Sequence, residues 1–194
     1  ASLGGISFAD LGQLQEVSLG IRRIVESSQM AQDLEGNIAT HYKALCDKCG
    51  LKDVAVSVRS AGTKSHPGQY ETYLNVRGKE QLLEKVVRVW SSTYNTKSIS
   101  AVVRQGIPIG KCPPLGVCVL QMVNARAAGV CLTVHPLSGD DTKALVESNW
   151  GLGESVVSGA VTPDRFIVDK AEMRVTERAL SRKKKHEIGR ASCR

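Results

Sequence analysis

Arg59 closes an alternating apolar run, VAVSVR, and the residues after it, SAGTKSHPGQYET, are mostly hydroxyls, glycine and a lysine. A guanidinium at a strand end can meet phosphate oxygens with two parallel hydrogen bonds. Ser60, Thr63, Ser65 and Thr72 add hydroxyl donors, Lys64 a mobile charge, and Gly68 permits close backbone approach to a bulky anion. The same composition also describes an ordinary surface turn whose arginine reaches solvent. The chain has no GxxxxGK[ST] segment and no GxGxxG opening a helix, and WGLGE at 150–154 lacks a third glycine in register.

Two further stretches carry possible chemistry. HPLSGDD at 135–141 is a hairpin-like loop in which the amides of Ser138 and Gly139 could point at an anion, or simply a solvated turn. QMV, Gln121 to Val123, ends an apolar run and could offer main-chain groups to an adenine edge while Met122 packs on the ring; it reads equally as a strand end in the core. None of the four histidines has a carboxylate at a telling spacing, and neither GxSxG nor HExxH occurs, so histidine-based catalysis is not supported. Cys46 and Cys49 form a CxxC without a second pair at zinc spacing, a pattern that also fits two thiols near a helix end.

These residues need elements to hold them. From Phe8 to Gly50 the pattern is helical, with Leu11, Leu14, Val17, Ile21, Ile24 and Val25 on one stripe and Ile38, Tyr42 and Leu45 on another. Gly50 is expected to stop the second helix, and the run from Val54 to Val58 alternates as a strand does. YLNV predicts a second strand. Gly78 introduces a helix with Leu82, Leu83, Val86, Val87 and Trp90 inward, and a short helix is expected from Ser98 to Gln105. LGVCVLQMV, AAGVCLTV and KALVESNW come next as closely spaced β-type runs, with a helical turn from Glu154 to Ser158 and a strand at Arg165 to Val168. Helices first and antiparallel strands later predict an α+β fold. The expected organisation is one domain over 1–176, helical and loop-rich to 110 and an antiparallel sheet from 111, with a basic tail, 177–194, read as a disordered end or a vector-derived scar.

Composition narrows the class. The 194 residues, 42% hydrophobic, can bury a core, and no window approaches the roughly 20 apolar residues of a membrane helix. The N-terminus, ASLGGISFADLG, lacks signal-peptide character, and scattered cysteines in a chain of this size suit a reducing compartment, so a cytoplasmic protein is expected. The net charge of +7 is concentrated near Arg182 to Lys185, and 4% aromatic content leaves few rings for base stacking, which argues against nucleic acid as a partner.

Taken in order, SVRS, GQYETYLNVRG, the helix through Trp90, ISAVVRQG, VLQMV, AAGVCLTVHPLSG and SNWGLGESVVSGAVTPDRF resemble successive segments of one family over Val54 to Val168. That family is the N-terminal nucleotide-binding domain of phosphoenolpyruvate synthase, pyruvate phosphate dikinase and rifampin phosphotransferase. The resemblance implies a partial ATP-grasp-like fold and a dikinase-type phosphotransferase that converts ATP to AMP. It also implies a phosphohistidine carrier domain or subunit that passes the phosphoryl group to pyruvate, phenol or a similar acceptor. By the same resemblance Arg59, in a catalytic role as well, with Gly68, Thr72, Thr133, Ser138 and Gly139 faces the ATP phosphates, and Gln121, Met122, Val123 and Glu154 face adenine and ribose.

The sequence also departs from the family pattern. ASLGG resembles the stretch just past the family's phosphate-gripping glycine-lysine segment, and no acidic strand or QxRP-like segment is present, so the ligands for Mg2+ are expected outside this chain and the isolated chain is expected to be inactive. Only eight residues separate Arg59 from Gly68, fewer and more basic than in the family. These departures motivate an alternative, a non-catalytic nucleotide-binding or regulatory remnant.

Overall fold

The computed structural model describes residues 11–61, 70–105, 115–182, 186–188 and 191–193. It is a mixed α+β chain that divides into two compact units, Ala1–Met122 and Val123–Arg194.

In the first unit, helices α1 (Leu11–Ser27) and α2 (Gln32–Cys49) precede strands β1 (Val56–Ala61) and β2 (Thr72–Val76). Helix α3 (Lys79–Ser91), a single 3-10 turn (Ser92–Tyr94), α4 (Thr96–Arg104) and β3 (Gly116–Gln121) complete it. Gly50 stops α2 as expected: at φ 63° it takes the left-handed conformation that glycine tolerates, and the Leu51 amide returns to the Cys46 carbonyl. Asn95 caps α4 by accepting the Ser98 amide at 2.8 Å.

β1 is the middle strand of an antiparallel sheet ordered β2-β1-β3. The expectation that LGVCVLQMV joins the later strands is therefore corrected: β3 pairs with β1 from Val56↔Gln121 to Ala61↔Gly116. The alternation of this run is compatible with either sheet, and only the long-range register decides between them.

Sheet alternation sorts the residues onto two faces. Val56 and Val58, both 0% exposed, point into a core with Val76, with Leu82, Val86 and Val89 of α3, and with Tyr42 and Cys46 of α2. Tyr73, Val117 and Val119 border that core. A bulge in β2, with Asn75 at φ 60°, adds one residue and so lets both Tyr73 and Val76 face it. On α1, Leu14 is buried with Ile99 of α4, whereas Ile24, expected on the inward stripe, is 68% exposed.

The second unit is a four-stranded antiparallel sheet ordered β4-β5-β6-β7. Its strands are β4 (Ala127–Leu132), β5 (Lys143–Trp150), β6 (Asp164–Asp169) and β7 (Arg174–Ala179), with the single turn α5 (Glu154–Val157) between β5 and β6. β7, RVTERA, was not expected from the sequence; its residues are all exposed, so no apolar alternation marks it. β8 (His186–Ile188) and β9 (Ala191–Cys193) pair with each other antiparallel. Gly129 of β4 leaves no room for a side chain: a Cβ there would lie 1.9 Å from the Glu147 carbonyl oxygen. No helix among the described residues is long and apolar enough to cross a membrane.

Candidate functional site

Arg59 lies on the middle strand of the first sheet, on the face opposite the helices, and its side chain is exposed. Its Cα partners are Thr72 on β2 and Cys118 on β3, so the sheet sets Arg59 and the exposed Thr72 side by side. Cross-strand neighbours on one face have Cβ atoms about 5 Å apart, close enough for a guanidinium and a hydroxyl to address one anion. Arg22, Arg88, Arg165 and Arg174 are held by carboxylates, whereas no ion pair among the described residues involves Arg59. Gly68 lies outside the described residues, as do Thr63, Lys64 and Ser65.

Thr72 is held by its neighbours. Residues 71 and 73 alternate to the helical side while Thr72 faces out, and both are anchored there. The Glu71 amide donates to Ser92 Oγ at 3.3 Å, and its carboxylate receives Arg22 of α1 at 2.8 Å and the Tyr73 hydroxyl. Arg22 also reaches Glu26 at 3.4 Å, and Ser91 Oγ donates to Glu26 at 2.6 Å, so the anchor extends across α1 and α3. Burial, then the bond to the Glu71 carboxylate, pushes the Tyr73 phenol up to about 12; its proton stays on across the physiological range. At the far end of the same strand pair, the buried Tyr42 hydroxyl donates to the Val54 carbonyl at 2.8 Å and accepts the Gly78 amide at 2.9 Å. One side chain of α2 thus joins the segment entering β1 to the one leaving β2.

The expected adenine segment straddles the boundary between the units. Gln121 ends β3 opposite Val56, the Met122 amide is used by the Ala55 carbonyl at 2.8 Å, and Val123 is exposed while its carbonyl accepts the Ala125 amide at 2.9 Å. Two of the main-chain groups expected to face a base are thus engaged within the protein.

In the second unit, Thr133 is exposed just after β4, and Ser138 and Gly139 lie in the loop to β5. Both amides expected to face an anion are satisfied within that loop: Ser138 donates to His135 Nδ1 at 3.3 Å and Gly139 to the His135 carbonyl at 2.8 Å. The hydroxyl of Ser138 also lies 3.0 Å from His135 Nδ1. Asp140 closes the loop on Thr142, whose hydroxyl and amide, in that order, hold its carboxyl below the usual aspartate range. Glu154 begins α5, exposed, just after the end of β5 where Ala127 pairs with Trp150. Thr133 and Ser138 adjoin the other end, where Leu132 pairs with Leu145. The two groups are therefore separated along β4 by about 17 Å. Beside Glu154's end the Arg126 guanidinium lies 5.8 Å from the Trp150 ring centroid.

A family model described as the pyruvate phosphate dikinase, AMP/ATP-binding domain matches residues 1–192. The chain belongs to this AMP/ATP-binding family. It is 37% identical over 189 residues to a probable phosphoenolpyruvate synthase of Staphylothermus marinus, covering 93% of this chain and 22% of that relative. With a probable phosphoenolpyruvate synthase of Methanothermobacter thermautotrophicus it shares 39% identity over 181 residues, 90% of this chain and 26% of the relative. The phosphoenolpyruvate synthase of Pyrococcus furiosus is 36% identical over 180 residues, 90% of this chain and 22% of its own. The chain thus spans about a quarter or less of the length of these curated relatives.

Arg59 shares the lack of a carboxylate partner with several other described arginines, Arg77 and Arg126 among them; its place on the middle strand beside Thr72 sets it apart from those two. A cleft of about 320 Å³ among the helices is a poor alternative for a triphosphate, because Glu26, Glu35 and Glu84 outnumber Arg88 in a lining otherwise made of Met30, Leu83 and Val87. No group of three or more His, Cys, Asp or Glu among the described residues is placed to hold a metal ion. Sequence reasoning singled out Arg59 and Thr72 but passed over Glu71, Arg22 and Tyr42. Their partners are distant in the chain, and the one local signal was the alternation that turns 71 and 73 away from 72.

Proposed function

We propose that the chain is the ATP-grasp-type, ATP-binding part of a dikinase-type phosphotransferase, and that Arg59 and Thr72 hold the nucleotide's phosphates. The observation that carries this reading is the exposed Arg59 guanidinium, unpaired among the described residues and set in register beside Thr72 on a sheet face that the helices leave open. A planar fork and a hydroxyl fixed on adjacent strands are pre-organised for phosphate oxygens. Charge-assisted bonds of this kind are about twice as strong as neutral ones.

In the second unit, Glu154 and the loop holding Thr133 and Ser138 lie at opposite ends of the β4–β5 pair; the family resemblance assigns the first to the ribose and the second to the phosphates. The names of the relatives favour pyruvate among the possible acceptors. The phosphoryl group would travel through a histidine on another domain or chain, and magnesium would be held by groups beyond those described. What this chain contributes is binding and orientation: the guanidinium offsets phosphate charge, the Thr72 hydroxyl donates to an oxygen, and the sheet keeps both in place as charge shifts.

The test is calorimetric titration of ATP with magnesium into the protein and its Arg59→Ala variant. A loss of about 1.5 to 3 kcal/mol is expected if the contact is charge-assisted. Equal affinity in the two proteins would remove Arg59 from the site.

A further inference from the structure

We propose that Glu71 is a positioning residue for phosphate binding, fixing Thr72 opposite Arg59 by tying β2's entry to α1 and to the turn after α3; this rests on Arg59 and Thr72 being the phosphate contacts. Three observations carry it. First, the Glu71 side chain takes no part on the open face: Arg22 reaches one carboxylate oxygen at 2.8 Å and the Tyr73 hydroxyl the other. Second, the Glu71 main chain is held independently, its amide donating to Ser92 Oγ, which itself donates to the Val89 carbonyl at 2.6 Å. Third, Glu71 directly precedes Thr72, whose Cα partner is Arg59.

These bonds come from a different layer of the unit than the strands they fix. Arg22 belongs to α1, and Ser92 is buried in the turn after α3. The Arg22–Glu71 pair is largely shielded, with side chains 22% and 31% exposed, so solvent screens it less than it does the outer pairs of α3. Alternation makes the device specific. A side chain at 71 can be gripped from the helical side without covering position 72 on the other, so the hydroxyl is held in place and still open to a ligand.

Without Glu71, Arg22 keeps Glu26, its partner one turn further along α1, while β2's first residues lose their side-chain tie to α1. The helices retain their own contacts. The consequence falls on the placement of Thr72, and therefore on ligands whose phosphates use it.

The experiment measures ATP and adenosine affinities by calorimetry, with melting temperatures, for the unmodified protein and for Glu71→Ala, Glu71→Asp, Thr72→Ala, Arg59→Ala and the Glu71→Ala/Thr72→Ala double variant. Glu71→Ala is expected to weaken ATP about tenfold while adenosine changes less than about twofold. Glu71→Asp, one methylene too short to meet Arg22 and Tyr73 together, is expected to lie between. In the Thr72→Ala background the Glu71 substitution should add almost nothing, because a residue that acts through Thr72 has nothing left to position. Additive losses in the double variant, or parallel losses of ATP and adenosine with a lowered melting temperature, would overturn the positioning role and leave Arg59 untouched. Unchanged ATP affinity in Glu71→Ala alongside a clear loss in Arg59→Ala would do the same. Unchanged affinity in Arg59→Ala would overturn both readings.

Discussion

Tyr42→Phe removes one oxygen atom and leaves the ring in place, which makes it a clean probe of how the strand pair carrying Arg59 and Thr72 is held. The hydroxyl serves two main-chain groups: it donates to the Val54 carbonyl at 2.8 Å and accepts the Gly78 amide at 2.9 Å. The phenol lies at 6% exposure and Val54 at 2%, so the orphaned carbonyl stays dry, whereas Gly78 is half-buried and can recruit water. An unsatisfied buried group costs about 1 to 3 kcal/mol, so one full and one partial loss give about 3 kcal/mol. Urea unfolding followed by circular dichroism should show the midpoint falling with the slope unchanged, since the surface exposed on unfolding is the same. A change below about 0.5 kcal/mol would mean that these bonds contribute little net free energy and would refute the clamp.

Two further outcomes concern the second unit. Gly129→Ala should destabilise the protein by about 3 kcal/mol, because β4 must shift away from the Glu147 carbonyl to admit a Cβ; hydrogen exchange should show β4 losing protection, and unchanged exchange would contradict the close approach. Asp140, whose carboxyl is depressed by the Thr142 hydroxyl and amide, lends the 135–142 loop a stabilisation that is present above the unfolded-chain value and lost as pH falls through the lower folded value. Its titration, followed by nuclear magnetic resonance, should have a midpoint below that of an unstructured aspartate, and Thr142→Val should move it up; a midpoint that stays put would sink the assignment.

Where neighbours in sequence set the structure, the sequence was readable. Gly50 as a helix stop and the alternation of VAVSV each depend on residues within a turn or two, and each appears in the structure. The α3 stripe is met in part: Leu82 and Val86 are buried and Trp90 packs on the core, while Leu83 and Val87 line a cleft and Val89, not expected inward, is buried. The hidden features depend on distant partners. β3 could have joined either sheet until its register with β1 was known, and β7 has no buried face to advertise it. Arg59 and Thr72 could be named from residue type, but their adjacency is a property of antiparallel pairing across a loop. Glu71 looked like one polar residue among several. Its role emerges only once α1 brings Arg22 to it.

The central claim is that Arg59 reads phosphate rather than base or sugar. The direct measurement is the affinity of adenosine, AMP, ADP and ATP for the unmodified protein and for Arg59→Ala. Affinity is predicted to climb along the series in the unmodified protein and to climb much less in the variant, with adenosine binding both alike. A variant whose series rises in parallel with that of the unmodified protein, or an unmodified protein that binds ATP no better than adenosine, would contradict the account.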